Sequence, residues 1–263
     1  MADKNILEEI ADYTRERVAA YKAEISAAEM KARAEALDHQ AGFAFENALR
    51  RKDISFICEV KKASPSKGII AEEFPYMKIA MDYEKAGADA ISVLTEPKWF
   101  LGSDEYLKQI VSEVGIPVLR KDFTVDEYMI YQAKVFGASA VLLIVSLLSD
   151  EQLAEYLDIA DELGLSALTE CHDGEEIEKA ISLGARIIGV NNRNLKNFSV
   201  NPLNALNLRD KVPFGMLFVS ESGISDRSQV EALEQNGVDA VLVGESLMRS
   251  ENREEFLKVL RGL

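Results

Sequence analysis

Gly87-Ala88-Asp89-Ala90-Ile91-Ser92-Val93-Leu94 returns three more times along the chain, as Gly137-Ala138-Ser139-Ala140-Val141-Leu142-Leu143-Ile144, Gly184-Ala185-Arg186-Ile187-Ile188-Gly189-Val190 and Gly237-Val238-Asp239-Ala240-Val241-Leu242-Val243-Gly244. Successive copies start 50, 47 and 53 residues apart. Each copy reads as a helix ended by a glycine and followed at once by a strand apolar on both faces, the pattern of a parallel sheet covered by helices. Between the copies lies a second set of strands, 56–61, 118–121, 165–170 and 217–221, and each of these ends on a charged residue. Helical stretches separate the strands. One covers 149–163 and opens on the capping box Ser149-Asp150-Glu151-Gln152; another covers 225–236 and runs into Gly237. Eight strands alternating with helices over about 210 residues predict a (β/α)8 TIM barrel. An open doubly wound sheet also alternates, but the quarterly repeat and the lack of a Gly-x-Gly-x-x-Gly turn after the first strand weigh against it.

Residues 1–50 fall outside this count. They read as an N-terminal extension of one or two helices on a single barrel domain spanning 1–263, with Ile6, Leu7, Ile10 and Val18 near helical spacing. That stripe must be buried, either by capping the barrel or by closing its pocket.

Composition narrows the function classes. The chain is 48% hydrophobic and carries 45 acidic against 30 basic residues, a formal charge of −15, which argues against binding nucleic acid or an anionic membrane. Any anionic substrate therefore needs a local cluster of cations. The first twenty residues hold eight charges and no apolar core, unlike a signal peptide, and the longest nearly apolar stretch, 138–148, is too short to span a bilayer. Two cysteines, Cys58 and Cys171, fit a reducing cytoplasm without disulfides, with Cys58 a core residue turned away from Glu59.

The charged strand ends point to a site. Glu59 and Lys61 stand two apart and so share one face of a strand, and Ser64-Pro65-Ser66-Lys67-Gly68 forms the loop beyond. Carboxyl ends of barrel strands converge on one mouth, and alternate strands share a layer, which groups Glu59 and Lys61 with Lys121, Glu170 and Glu221. Leu142, Ile144, Asn191 and Arg193 come from the intervening strands. Ser222-Gly223-Ile224-Ser225 and Gly244-Glu245-Ser246 follow strands seven and eight, where barrels commonly hold phosphate, with Ser64 across the mouth as a third contributor. No His, Cys and Asp cluster suggests a metal, and no cofactor is expected. His39 and His172 are the two histidines, and His172, just past Glu170, reads as a solvated loop residue.

These residues have a familiar arrangement. Glu59-Val60-Lys61-Lys62-Ala63-Ser64-Pro65-Ser66-Lys67-Gly68, Leu94-Thr95-Glu96, Arg120-Lys121-Asp122-Phe123, Leu168-Thr169-Glu170, Gly189-Val190-Asn191-Asn192-Arg193 and Glu221-Ser222-Gly223-Ile224 together resemble the indole-3-glycerol phosphate synthase family of tryptophan biosynthesis. The resemblance implies a carboxy-lyase that closes the ring of a carboxyphenylamino-deoxyribulose phosphate with loss of carbon dioxide and water. It implies that Lys121 is the general acid toward the ribulose carbonyl, that Glu170 is the base of the later dehydration, and that Lys61, paired with Glu59, binds substrate anions and supplies a proton in that dehydration. Asn191 and Glu221 complete the polar ring, and Arg193 holds the anthranilate carboxylate. Phosphate contacts fall on Ser64, Ser222, Gly223, Gly244 and Glu245, and Phe100, Phe123, Pro65, Leu142 and Leu195 wall the aromatic ring. The implied partner is this anionic small molecule, with the protein a monomer.

The chemistry asks for the same set, because a carbonyl becoming an alcohol and an alcohol leaving as water each need a proton donor. Burial beside Lys61 and Arg193 is expected to lower the Lys121 pKa. Glu245 departs from a good phosphate site unless its side chain points away, while Trp99 and Asn194 flank the core assignments. Two rival readings are a barrel that binds phosphate ligands without catalysis and a relative of phosphoribosylanthranilate isomerase. The first predicts a broken charged set; the second needs neither two lysines nor the extension.

Overall fold

The computed structural model describes residues 5–38, 42–194 and 198–263. Eight parallel strands close into a barrel: β1 (Ser55–Val60), β2 (Ala90–Leu94), β3 (Val118–Lys121), β4 (Ala140–Ile144), β5 (Ser166–Cys171), β6 (Ile187–Asn191), β7 (Leu217–Glu221) and β8 (Ala240–Val243). Each strand pairs with the next, and β8 returns to β1 with Ser55 beside Ala240 and Cys58 beside Val243. The repeat identified in the sequence is the helix-to-strand joint of β2, β4, β6 and β8. Gly87, Gly137, Gly184 and Gly237 all have φ between 72° and 99°, the left-handed backbone that a residue without Cβ adopts freely. The box at Ser149 forms as expected and starts the helix Asp150–Glu162. The helix before β8 starts later than expected, at Arg227, because the Asp226 carboxylate, not the Ser225 hydroxyl, caps it by accepting from Gln229 N.

Two apolar clusters follow from strand alternation. Outward residues such as Cys58, Ile91, Val141, Ile188, Phe218 and Val241 pack under the helices. Inward residues Ile57, Leu119, Ala140, Leu168, Ile187, Leu217, Val219 and Leu242 fill the barrel. The barrel is therefore a packed core with its ionic layer near the carboxyl ends.

Among the described residues the extension holds three helices where one or two were expected: α1 (Ile6–Glu24), α2 (Ala27–Glu35) and α3 (Ala44–Leu49). The break after α1 comes from Ser26, whose hydroxyl accepts from Glu29 N and caps α2. The three helices bury different surfaces. α3 inserts Phe45 and Leu49 into the amino end of the barrel, where Glu46 N donates to Ser166 Oγ at 3.2 Å and Ser55 Oγ donates to Leu49 O at 3.3 Å. α2 packs on the helix Tyr128–Val135. α1 lies across the opposite end, placing Ile6, Leu7 and Ile10 at the mouth and anchoring itself through Arg17, Tyr21 and Lys22 to Asp122, Asp104 and Asp126. α3 thus plugs the amino end of the barrel, while α1 places Ile6, Leu7 and Ile10 of the expected stripe at the mouth. Among the described residues no helix is long and apolar enough to cross a membrane.

Candidate active site

A cavity of about 590 Å3 opens at the carboxyl ends of the strands. All the residues expected at the site line it except Leu195, which lies outside the described residues. Its floor is ionic. Glu59 and Lys61 form a close ion pair, and Lys121 Nζ lies 3.5 Å from both Glu170 Oε2 and Glu221 Oε2. Asn191 Nδ2 donates to Glu170 Oε1 at 3.2 Å and the Asn191 side-chain oxygen accepts from Arg193 N. Two glycines make room for this layer: a side chain at Gly189 would overlap the Glu221 carboxylate, and one at Gly244 would overlap Glu59 and Lys61.

Burial works against every charge here, and the balance with neighbouring charges differs from group to group. Burial alone lowers the Lys121 ammonium, but the charges of Glu221, Glu170 and Glu59 outweigh it and hold Lys121 well above the ordinary lysine range. This reverses the expected depression, because carboxylates and not Lys61 or Arg193 are its nearest charges. Glu59 is penalised by burial yet lowered overall by Lys61 and Lys121. Glu221 goes the other way: burial pushes it up to about 8, Lys121 opposes the rise, and the charges of Glu170 and Glu59 add to it.

One end of the cavity is apolar. Phe100 and Phe123 stand with ring centroids 5.9 Å apart, beside Pro65, Leu142, Ile144 and the α1 residues. Phe100 is aimed by Glu96, a buried carboxylate that accepts from the backbone N–H groups of Lys98, Trp99 and Phe100 at 2.8, 2.8 and 2.9 Å. Sequence reading quoted Glu96 without giving it a role. An acidic residue two positions past a mostly apolar strand was the available signal, since a buried carboxylate must find donors.

The other end suits a phosphate. Ser222 and Gly223 have φ of 68° and 83°, and a Cβ on Gly223 would collide with Val200. Gly244 precedes the short helix Glu245–Arg249 with no side chain capping its first N–H groups. Ser64, Lys67 and Arg249 complete this end; the two cations were not singled out in the sequence because isolated surface charges carry no pattern. The Glu245 side chain does not point away, as a phosphate site there required. Its carboxylate lies 3.7 Å from Lys67, 3.8 Å from Arg193 and 3.2 Å from Arg249, drawn in by the cations around it.

His172 also departs from expectation. It is not a solvated loop residue: its ring packs behind Glu170, outside the cavity lining, with Nε2 3.6 Å from Glu170 Oε1.

A sequence model of indole-3-glycerol phosphate synthase matches residues 7–260. The chain belongs to the indole-3-glycerol phosphate synthase family. Relatives bearing that name include proteins of Ruminiclostridium cellulolyticum, 54% identical with 98% of this chain and 99% of the relative aligned, and of Endomicrobium trichonymphae, 52% identical over 97% and 99%. Among solved structures, 3-hexulose-6-phosphate synthase from Salmonella typhimurium superposes with a TM-score of 0.66 over 80% of this chain and 97% of that one, at 16% identity. Thiamine phosphate pyrophosphorylase from Pyrococcus furiosus does so with a TM-score of 0.60 over 81% and 96%, at 18% identity. At such identities the structural likeness shows the barrel alone, whereas the family assignment rests on nearly the full chain.

Proposed function

We propose that this mouth carries out the reaction for which the family is named, converting 1-(2-carboxyphenylamino)-1-deoxyribulose 5-phosphate to indole-3-glycerol phosphate, carbon dioxide and water in tryptophan biosynthesis. The observation that carries this reading is Lys121 held between two buried carboxylates, at the floor of a cavity with an aromatic wall at one end and a phosphate turn at the other. The phosphate is assigned to Ser64, Ser222, Gly223, Gly244 and Glu245 N, where it displaces the Glu245 carboxylate from Lys67, Arg193 and Arg249, and the aromatic ring to Phe100, Phe123, Pro65 and Leu142, which leaves the ribulose carbonyl between them for Lys121.

Lys121 donates a proton to the carbonyl oxygen as the carboxylate-bearing ring carbon attacks. Its raised pKa keeps that proton in place until the oxygen becomes an alkoxide. Carbon dioxide then leaves and its electrons neutralise the iminium. Lys61, aligned by Glu59, protonates the departing hydroxyl, while Glu170, oriented by Asn191, accepts the proton whose loss restores aromaticity. Arg193 pairs with the anthranilate carboxylate, and Glu221 completes the polar ring beside Lys121. Residues 1–263 work as one barrel domain with 1–50 as its extension, as a cytoplasmic monomer.

Incubating the protein with the carboxyphenylamino-deoxyribulose phosphate and following indole fluorescence tests the proposal. A rise that requires substrate and is lost on heating the protein is the expected outcome; no rise while inorganic phosphate still binds would leave a barrel that binds without catalysing.

A further inference from the structure

His172 follows β5 directly, two residues after Glu170, and is fixed from behind. Its backbone N donates to Glu176 Oε2 at 2.7 Å, and its ring Nδ1 lies 3.3 Å from the same oxygen. Glu176 belongs to the helix Gly174–Ser182, so the ring is tied to a regular element. The other ring nitrogen, Nε2, is fully buried, has no hydrogen bond, and faces Glu170 Oε1 at 3.6 Å. A buried, unsatisfied donor aimed at a carboxylate is costly unless it is used.

The charge balance of the floor shows what that use is. Three buried carboxylates, Glu59, Glu170 and Glu221, share the floor with Lys61 and Lys121. When Lys121 hands its proton to the substrate oxygen it becomes a neutral amine, and Glu170 loses its cationic partner while Glu59, held ionised by Lys61, still repels its charge. A carboxylate in that position takes up a proton and stops being a base. An imidazolium on the far side of Glu170 prevents this without touching substrate.

We propose that His172 is a positioning residue whose imidazolium, anchored by Glu176, holds Glu170 Oε1 and keeps that carboxylate ionised after Lys121 has discharged its proton. The inference rests on the acid and base roles given to Lys121 and Glu170. No bond to substrate forms or breaks at His172, and its proton stays on the ring. The charged groups facing it are Glu170 on β5, Glu176 on the following helix and Glu221 on β7, with Asp173 next in the chain and Lys121 beyond Glu170 and Glu221. Burial alone lowers the imidazole, but the hydrogen bond to Glu176 and the charges of Glu170, Glu176 and Glu221 outweigh it and raise it above 6.5.

The chain has 2 histidines, so the ring signals of isotope-labelled protein can be followed by NMR, with His39→Gln assigning the other. His172 should titrate above 6.5 and move down in both Glu176→Gln and Glu170→Gln. In steady-state assays His172→Asn should lower kcat by about tenfold with KM within about twofold. The parent kcat should fall as pH rises through the value read by NMR; that limb should vanish in His172→Asn and shift to lower pH in Glu176→Gln. A histidine titrating at or below its ordinary value overturns the proposal, as does a His172→Asn enzyme with parental kcat and pH profile. If His172→Asn does not fold, Glu176→Gln decides, and an unmoved limb is fatal. An inactive Lys121→Met enzyme alongside an indifferent His172→Asn would sink this inference alone, whereas an active Lys121→Met would sink the acid assignment beneath it.

Discussion

Lys121 and Asp122 are neighbours in sequence and belong to two buried ionic clusters of opposite character. Asp122 is satisfied on every side: Arg17 Nη2 donates to it at 2.7 Å, Thr95 Oγ1 at 2.5 Å and its neighbour Phe123 N at 2.8 Å. Burial penalises its carboxylate, but Arg17 and Arg120 hold it below its ordinary range. Across the barrel wall, Glu221 has both oxygens buried without a hydrogen bond and a pKa pushed up to about 8. The first cluster has its partners in place and ties α1 to the barrel. The second is left short of partners, and on our reading a substrate bearing hydroxyls and anions completes it. Polar burial with every bond made stabilises a fold, whereas the same burial left incomplete stores electrostatic free energy for a ligand.

The comparison is sharpest at Lys121. Removing a placed general acid costs about 10²–10⁴-fold in rate, so Lys121→Met should lose at least that much kcat while product still binds. Retention of more than about a tenth of parental turnover would remove Lys121 from the mechanism. Asp122→Asn should give the reverse profile. Stranding Arg17 as a buried unpaired charge should cost about 3–5 kcal/mol of stability in denaturant titration. Loss of activity at full stability would mean that the two clusters are not separable.

Glu221→Gln should be stabilising. The folded-state pKa lies above the ordinary 4.5, so the stability associated with the protonated group is full below about 4.5 and lost as pH rises through about 8. A neutral Gln escapes that loss, and the melting temperature of the variant relative to the parent should climb between roughly pH 5 and 9, by an amount equivalent to about 1–3 kcal/mol. A constant difference across that range would show that the Glu221 carboxyl is not strained. The smallest effect is expected at Glu245, whose half-exposed carboxylate competes for Lys67, Arg193 and Arg249. Glu245→Gln should tighten competitive inhibition by inorganic phosphate about two- to fivefold, a change of under about 1 kcal/mol. Weaker inhibition would place the phosphate elsewhere in the mouth.

Much of this was legible in the chain itself. The four glycine-led repeats and the charged ends of 56–61, 118–121, 165–170 and 217–221 specify the barrel and bring Glu59, Lys61, Lys121, Glu170 and Glu221 to one mouth, because side-chain alternation and glycine's access to positive φ are local properties. Tertiary structure alone decided the charge states. Lys121 was expected to be depressed and is raised, since its pKa depends on which charges lie within a few ångströms, and Glu221 arrives from a hundred residues away in sequence. The same holds for α1, whose apolar stripe required burial but did not say at which end of the barrel, and for His172, which looks like a solvated residue until the fold sets its ring against Glu170. Local periodicity is written residue by residue, whereas an electrostatic environment exists only after distant segments have been packed together.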